Sequence, residues 1–218
     1  MRTRGKGSVD TVLLDLGNVL VGWDPYAAFA GALAPAEVDA FFADIDFFER
    51  NRQADAGTPW GEVRDAVAAA HPQHAASLDR YVARFASTLT GPVPGTSEIV
   101  DELVARSVRV FGLTNWSAEL FHLAVPAAPA IGRLRDIVVS GEVGLAKPDP
   151  AIFELAAHRF ALEPGRTVFV DDSLANVDAA AALGFRTVHF TDAPALRRRL
   201  VELAVLPAAT DEGRSSAS

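Results

Sequence analysis

Short apolar runs recur along the chain and alternate with longer segments that have helical periodicity. The first run, residues 9–15, is rich in Val and Leu and stops at a Gly-Asn pair, which is typical of a buried parallel strand. Similar runs lie at residues 108–113, 137–139, 167–170 and 187–190. This alternation predicts an α/β fold built on a doubly wound parallel sheet.

The interval between the first and second runs is far longer than one crossover helix needs. Within it, residues 35–88 carry apolar side chains at helical spacing, and a turn-rich stretch follows at residues 91–95. We therefore expect a small α-helical cap at residues 23–91, inserted after strand one into a discontinuous core of residues 1–22 and 92–208. Residues 209–218 have little apolar content, and we expect a disordered tail there.

Composition narrows the classes of function. The formal net charge of −8 leaves no broad basic surface, so neither a nucleic acid nor an anionic membrane is expected as a partner. The chain has no cysteine, which excludes a disulfide framework, a zinc-thiolate cluster and a cysteine nucleophile. No apolar stretch reaches transmembrane length, and we expect a cytoplasmic protein. The oligomeric state stays open.

Polar side chains stand where the predicted strands end, or just before a helix. These side chains are Asp15, Thr114, Asn115, Lys147, Asp171 and Asp172. Because the carboxyl ends of parallel strands meet at one edge of a sheet, we expect them to gather around a single site.

This set of groups suits phosphoryl transfer, in which a protein positions a nucleophile and neutralises a dianion. A Mg²⁺ ion held by Asp15 and Asp171 would overcome the repulsion between an attacking carboxylate and the phosphate, and Lys147 would add a second positive charge. Donors for the phosphate oxygens are available at the Thr114 hydroxyl and at free backbone amides around Gly17, Asn18 and Asn115.

Four segments resemble, in order, the four motifs of the haloacid dehalogenase superfamily. They are residues 15–20 (DLGNVL), 113–115 (LTN), 147–148 (KP) and 170–172 (VDD). The resemblance covers nearly the whole chain and implies a Rossmann-like core with a helical cap between the first two motifs. It also implies a Mg²⁺-dependent phosphatase that forms an aspartyl-phosphate and acts on a small phosphorylated metabolite.

The resemblance also implies a role for each motif residue. Asp15 is expected to be the nucleophile and a metal ligand, and the Gly17 carbonyl and Asp171 are expected to complete the metal site. Asp172 is expected to hold the metal through water, with Asn176 in support. The expected phosphate-binding residues are Thr114, Asn115, Asn18 and Lys147, of which Lys147 also acts in catalysis.

One position departs from the family pattern. Most phosphatases of the family carry a second aspartate two residues after the nucleophile, where it protonates the leaving oxygen and later activates water; Gly17 stands there in this chain. A general acid-base contributes about 10²–10⁴-fold, so either another residue replaces it or the leaving group needs little help. Asp24 is a candidate replacement, or a turn cap before Pro25, and Trp116 is a candidate wall of the substrate pocket.

A sugar 1-phosphate has such a leaving group, because its anomeric oxygen departs more readily than that of an ordinary alcohol. The DLGN segment is also similar to the bacterial glucose-1-phosphatase-like branch of the superfamily. The resemblance therefore implies a small phosphorylated metabolite as the substrate, and among these metabolites a sugar phosphate such as a sugar 1-phosphate.

Two other functions stay open. A 2-haloacid dehalogenase also dispenses with the second aspartate, because halide departs without protonation. Dehalogenation needs no metal, however, and Asp171 and Asp172 beside Asp15 would repel one another without a cation. A non-catalytic binding protein with this fold is the other alternative. Loss of Asp15 or Lys147 would have favoured it, and both residues are present.

Overall fold

The computed structural model describes residues 8–208, so the predicted tail at residues 209–218 lies outside the described residues. The strands in this part of the chain are β1 (Thr11–Leu14), β2 (Val21–Trp23), β3 (Leu89–Pro92), β4 (Arg109–Thr114), β5 (Ile137–Val139), β6 (Thr167–Asp171) and β7 (Arg186–His189). Five of them form a parallel sheet in the order β5-β4-β1-β6-β7. The five predicted strands are thus confirmed, each with bounds within two residues of those expected.

Helices connect these strands. Within residues 8–208 the α-helices are α1 (Pro35–Ile45), α2 (Phe47–Asp55), α3 (Trp60–Ala70), α4 (Ala75–Ala83), α5 (Phe85–Thr88), α6 (Thr96–Ala105), α7 (Ala124–Ala127), α8 (Ser140–Val143), α9 (Pro150–Phe160), α10 (Leu174–Ala182) and α11 (Ala193–Glu202). None of these helices combines the length and the hydropathy that a membrane crossing requires.

The sheet is buried on both faces. Leu13 of β1 belongs to one apolar cluster, and its neighbours Val12 and Leu14 belong to another. Helices α9 and α10 contribute to the cluster of Leu13, whereas α6 and α11 contribute to that of Val12 and Leu14. Burial on both faces explains why the strands are continuous apolar runs rather than alternating ones. The predicted doubly wound α/β fold is confirmed.

Strand β1 lies at the centre of the sheet, between β4 and β6. Leu14 pairs with Gly112 on one side and with Val170 on the other. From β1 the chain runs outward to β4 and β5, and then returns to the opposite side of β1 for β6 and β7. The carboxyl ends of β1, β4 and β6 therefore border the change in strand order at which α/β sheets bind ligands.

The segment between β2 and β3 contains helices α1–α5, and its aromatic interior belongs to the same apolar cluster as Val12 and Leu14. The rings of Phe42 and Phe47 stack with their centroids 4.1 Å apart, and Tyr81 meets Phe47 edge-on at 4.8 Å. Helices thus occupy the interval in which the cap is expected. The exact cap boundaries, residues 23 and 91, stay a prediction.

A two-stranded ribbon joins this insertion to the core. The sequence predicts only a turn-rich linker at residues 91–95, whereas the structure pairs Val21 with Pro92 and Gly22 with Gly91, antiparallel, in β2 and β3. A Cβ atom on Gly22 would lie 2.2 Å from the Thr90 hydroxyl oxygen, so the close pairing depends on glycine. Such short strands, each with a glycine, carry no alternating pattern, which is why the sequence does not reveal them.

Candidate active site

A cavity of about 210 Å³ lies at the carboxyl ends of the strands. The core lines it with Asp15, Gly17, Asn18, Asn115, Trp116, Lys147, Asp172 and Asn176. Residues 23–88 contribute Trp23, Asn51, Asp55 and Phe85 to the lining. The fold therefore brings most of the predicted site residues to one place, and Trp116 lines the cavity as expected.

The Lys147 ammonium joins two of the motif carboxylates. Its Nζ lies 2.9 Å from Oδ1 of Asp15 and 2.6 Å from Oδ2 of Asp171, and it donates to the Leu113 carbonyl oxygen at 2.9 Å. Burial lowers the pKa of Lys147, but the two carboxylates raise it, and the net pKa lies above its ordinary value. The side chain therefore keeps its positive charge, although only 3% of the residue is exposed.

A third carboxylate, that of Asp172, lies close to the two that pair with Lys147. One oxygen each from Asp15, Asp171 and Asp172 lies within 4.8 Å of the others. Burial raises the pKa of Asp15 to about 7 despite the opposing charge of Lys147, and the Asp171 charge also raises it. Burial and Asp171 likewise raise the pKa of Asp172. One ammonium cannot balance three carboxylates, and Mg²⁺ prefers such oxygen ligands. The donor set therefore fits a divalent cation.

Asp171 is fully buried, and both of its oxygens accept hydrogen bonds. Oδ1 accepts from the Ser173 backbone N–H at 2.8 Å and from Asn176 Nδ2 at 3.0 Å, while Oδ2 accepts from Lys147 and from Asn176 at 3.1 Å. Asn176 therefore supports Asp171 directly. Asp172 lines the cavity and is well placed for a metal. The expected division of metal binding between the two aspartates stays a prediction.

Thr114 offers an unused donor. The residue is 1% exposed, and its Oγ1 has no hydrogen-bond partner among the described residues. A buried polar group without a partner costs about 1–3 kcal/mol, although Thr114 is not among the residues that line the cavity. The expected contact with a phosphate oxygen would satisfy this hydroxyl.

Two expected phosphate ligands, Asn115 and Asn18, have hydrogen-bond partners in the protein, and their contact with phosphate stays a prediction. Asn115 donates from Nδ2 to the Lys147 carbonyl oxygen and accepts from the Lys147 N–H at Oδ1, both at 2.8 Å, so it fixes the Lys147 backbone. Asn18 donates its N–H to the Val21 carbonyl at 2.7 Å, accepts from the Trp23 N–H at 3.1 Å and bonds to Asp172 through its side chain. The expectation of a free amide at Asn18 is thus corrected, because the local turn uses it.

Asp24 caps a turn and does not line the cavity. Its Oδ1 accepts from the Tyr26 N–H at 3.0 Å and caps the 3₁₀ helix Pro25–Phe29, the side chain is exposed, and the residue is not among those that line the cavity. The structure therefore favours the turn-cap alternative. Gly17 lines the cavity, and no heavy atom lies within 4 Å of the point where its Cβ would stand. Steric crowding does not explain the glycine.

Asp55, at the end of α2, is a site residue that could not be identified from the sequence alone. It lines the cavity, and burial raises its pKa to about 7, with the Ser117 N–H acting against the shift and the Asp15 charge adding to it. Asn51, one turn earlier, donates to Asp55 Oδ2 at 2.8 Å. This i,i+4 pair is the only signal in the sequence, and such pairs are common on solvated helix faces.

Sequence comparisons identify the family. The family model described as haloacid dehalogenase-like hydrolase matches residues 9–184. Drimenol cyclase drtB of Aspergillus calidoustus is 27% identical over 212 residues, which cover 92% of this chain and 37% of that protein. Sesquiterpene phosphatase astK of Aspergillus oryzae is 28% identical over 197 residues, which cover 88% of this chain and 94% of that protein. The chain thus spans little more than a third of the longer cyclase.

Solved structures share the fold. A HAD family enzyme of Bacteroides thetaiotaomicron, in complex with magnesium and inorganic phosphate, matches with a TM-score of 0.65 and 21% identity, covering 85% of this chain and 96% of that one. L-2-haloacid dehalogenase of Xanthobacter autotrophicus, with chloropropionic acid covalently bound, matches with a TM-score of 0.62 and 17% identity, covering 91% and 85%. With its four motifs assembled at one edge of the sheet and a family match from β1 to just beyond α10, the chain belongs to the haloacid dehalogenase-like hydrolases.

Proposed function

We propose that this enzyme is a Mg²⁺-dependent phosphomonoester hydrolase that works through an aspartyl-phosphate on Asp15. The observation that carries the proposal is the charge arrangement, in which three carboxylates have ligand oxygens within 4.8 Å of one another and a single buried ammonium pairs with two of them. This arrangement leaves two negative charges unbalanced, and a divalent cation at the three carboxylates would balance them. The sesquiterpene phosphatase and the structure that contains magnesium and phosphate support the same assignment.

The proposed reaction has two displacements. An Asp15 carboxylate oxygen attacks phosphorus while the bond to the leaving oxygen breaks, and water then attacks the aspartyl-phosphate and releases inorganic phosphate. Lys147 neutralises part of the phosphate charge, and the Thr114 hydroxyl donates to a phosphate oxygen. Asn115 contributes by holding the Lys147 backbone in place.

The metal would be held by Asp15, the Gly17 carbonyl and Asp171, with Asp172 and Asn176 in support. Its charge would allow the Asp15 carboxylate and the phosphate, both anions, to approach each other. Asp15 lies next to Asp171 through β1 and β6, so the two carboxylates are brought together by the sheet itself.

The cavity favours a compact substrate. At about 210 Å³ it is smaller than the roughly 300–1,000 Å³ that is usual for drug-sized ligands. A sugar 1-phosphate is the substrate class we propose, and the similarity of residues 15–18 (DLGN) to the glucose-1-phosphatase-like branch supports it. A cytoplasmic location and the absence of nucleic-acid and membrane partners stay predictions.

The test is a panel of sugar 1-phosphates, sugar 6-phosphates and p-nitrophenyl phosphate, assayed with Mg²⁺ and with chelator, together with a 2-haloacid monitored for halide. We expect phosphate release that requires Mg²⁺ and no halide release. Halide release that survives the chelator would identify a dehalogenase, the alternative with which Gly17 is equally compatible. A protein that binds phosphorylated compounds without turning any over would identify the non-catalytic alternative.

A further inference from the structure

Asp55 lines the same cavity as the reacting groups. The core wall carries Asp15, Gly17 and Lys147, and α2 contributes Asp55 from the insertion. A phosphate ester with its phosphorus at Asp15 must extend its leaving group into the rest of the same small cavity. Asp55 is among the residues that line it.

The insertion fixes the direction of this carboxyl. Asn51 Nδ2 donates to Asp55 Oδ2 at 2.8 Å, and the Tyr81 hydroxyl donates to Asn51 Oδ1 at 3.1 Å. Tyr81 is fully buried in the aromatic interior of the insertion. A chain of hydrogen bonds that ends on a buried ring restricts the rotamer of the carboxyl.

The core also holds Asp55. The Ser117 backbone N–H donates to its carboxyl, and Ser140 Oγ donates to its backbone carbonyl while accepting from the Trp116 N–H at 2.9 Å. Just beyond, a Cβ on Gly57 would lie 3.4 Å from the Gly141 carbonyl oxygen, so the backbone of the insertion rests closely on that of the core. Asp55 is therefore positioned relative to Asp15 from both sides.

We propose that Asp55 is the general acid-base that Gly17 does not provide, an inference that rests on the proposed phosphatase function. In the first step the Asp15–phosphorus bond forms, the bond to the leaving oxygen breaks, and the Asp55 proton moves to that oxygen to give the free alcohol. In the second step the Asp55 carboxylate takes a proton from water as the water oxygen bonds to phosphorus. The Asp15–phosphorus bond then breaks, which releases phosphate and restores both side chains.

The electrostatics agree with both steps. Burial raises the pKa of Asp55 to about 7, and the Asp15 charge adds to this rise. A group with a pKa near the working pH can both give and take a proton, and two carboxyl groups in different surroundings divide the roles of nucleophile and acid.

The test compares Asp55→Asn with wild type on p-nitrophenyl phosphate, whose leaving group departs readily as an anion, and on an alkyl phosphate. We expect kcat/KM to fall about 10²–10⁴-fold on the alkyl ester and less than about 10-fold on the aryl ester. The aryl ester should give a burst of one p-nitrophenolate per active site followed by slow turnover, because the first step survives and the second loses its base. The burst also shows that the variant is folded. The basic limb of the wild-type pH profile on the alkyl ester should disappear.

Two further variants complete the design. Asp65→Asn makes the same change on α3, at a side chain that is 80% exposed, and should behave as wild type. Asp24→Asn tests the competing acid directly. Equal losses on both esters in Asp55→Asn, or a leaving-group effect that appears in Asp24→Asn instead, would overturn the assignment while the phosphatase function stands. A wild-type protein that hydrolyses neither ester would overturn the proposed function, and the assignment with it.

Discussion

Replacing Asp55 by asparagine should change how the stability of the fold depends on pH. Burial raises the pKa of Asp55 to about 7 in the folded protein, against an ordinary value of 3.8. The folded state therefore keeps a proton that the unfolded chain has released between these two values. Stability falls with pH wherever the folded state binds more protons, so this group makes the wild-type free energy of unfolding decrease up to pH about 7. The asparagine variant has no such proton.

The expected change in the free energy of unfolding follows from the shift in the pKa of Asp55. Each unit corresponds to about 1.4 kcal/mol, so the wild-type protein should lose about 3 kcal/mol from this group between pH 5 and pH 8. The pKa values of Asp15 and Asp172 are also raised, but both groups are present in the two proteins. Most of their contribution therefore cancels in the difference between variant and wild type.

The assay is urea unfolding of both proteins at pH 5, 6, 7 and 8. Chelator is present throughout, because a bound metal would add its own pH-dependent stabilisation. The free energy of unfolding of Asp55→Asn minus that of wild type should rise by about 3 kcal/mol across this range, whereas the same difference for Asp65→Asn should stay flat. A difference for Asp55→Asn that does not change with pH would refute the conclusion that burial raises the pKa of Asp55.

Three other perturbations follow from the site. Asp15→Asn should lower turnover by about 10³-fold or more without changing the circular dichroism spectrum, because an amide oxygen can still accept from Lys147; near-normal turnover would contradict the nucleophile. Chelator should abolish phosphate release, and added Mg²⁺ should restore it. Asp171→Ala should weaken Mg²⁺ binding measured by calorimetry, and unchanged binding would show that Asp171 is not a metal ligand. Gly17→Asp should fold, since its Cβ meets no heavy atom within 4 Å, and should restore alkyl phosphate hydrolysis to Asp55→Asn; no rescue would show that an acid at position 17 cannot reach the leaving oxygen.

The sheet and the residues at its strand ends could be predicted because the information is local. A strand buried on both faces is a run of apolar residues, and the parallel arrangement places whatever follows each strand at the same edge. Asp15, Asp171 and Lys147 therefore meet in the structure as their positions along the chain predict.

The partners of individual side chains could not be predicted, because they depend on contacts between distant segments. Asn115 reaches the Lys147 backbone across 32 residues of sequence, and that pairing decides that its amide holds the lysine. In the sequence, Asp55 is one of many carboxylates on amphipathic helices. The contact between α2 and α8, present only in the folded protein, shields its carboxyl from water. Burial of a single helical position is a tertiary property, and helical periodicity does not specify it.

Because of the β2–β3 ribbon, the architecture of the sheet does not depend on the size of the insertion. Val21 and Pro92 stand opposite each other, and the Val93 N–H donates to the Leu20 carbonyl at 3.0 Å, so the distance that the core must bridge is the same however many residues lie between them. The entropy of closing a loop grows only slowly with its length. Descendants of this chain could therefore exchange, shorten or extend the insertion, and so change which leaving groups are accepted, while Asp15 and Lys147 stay where the sheet puts them.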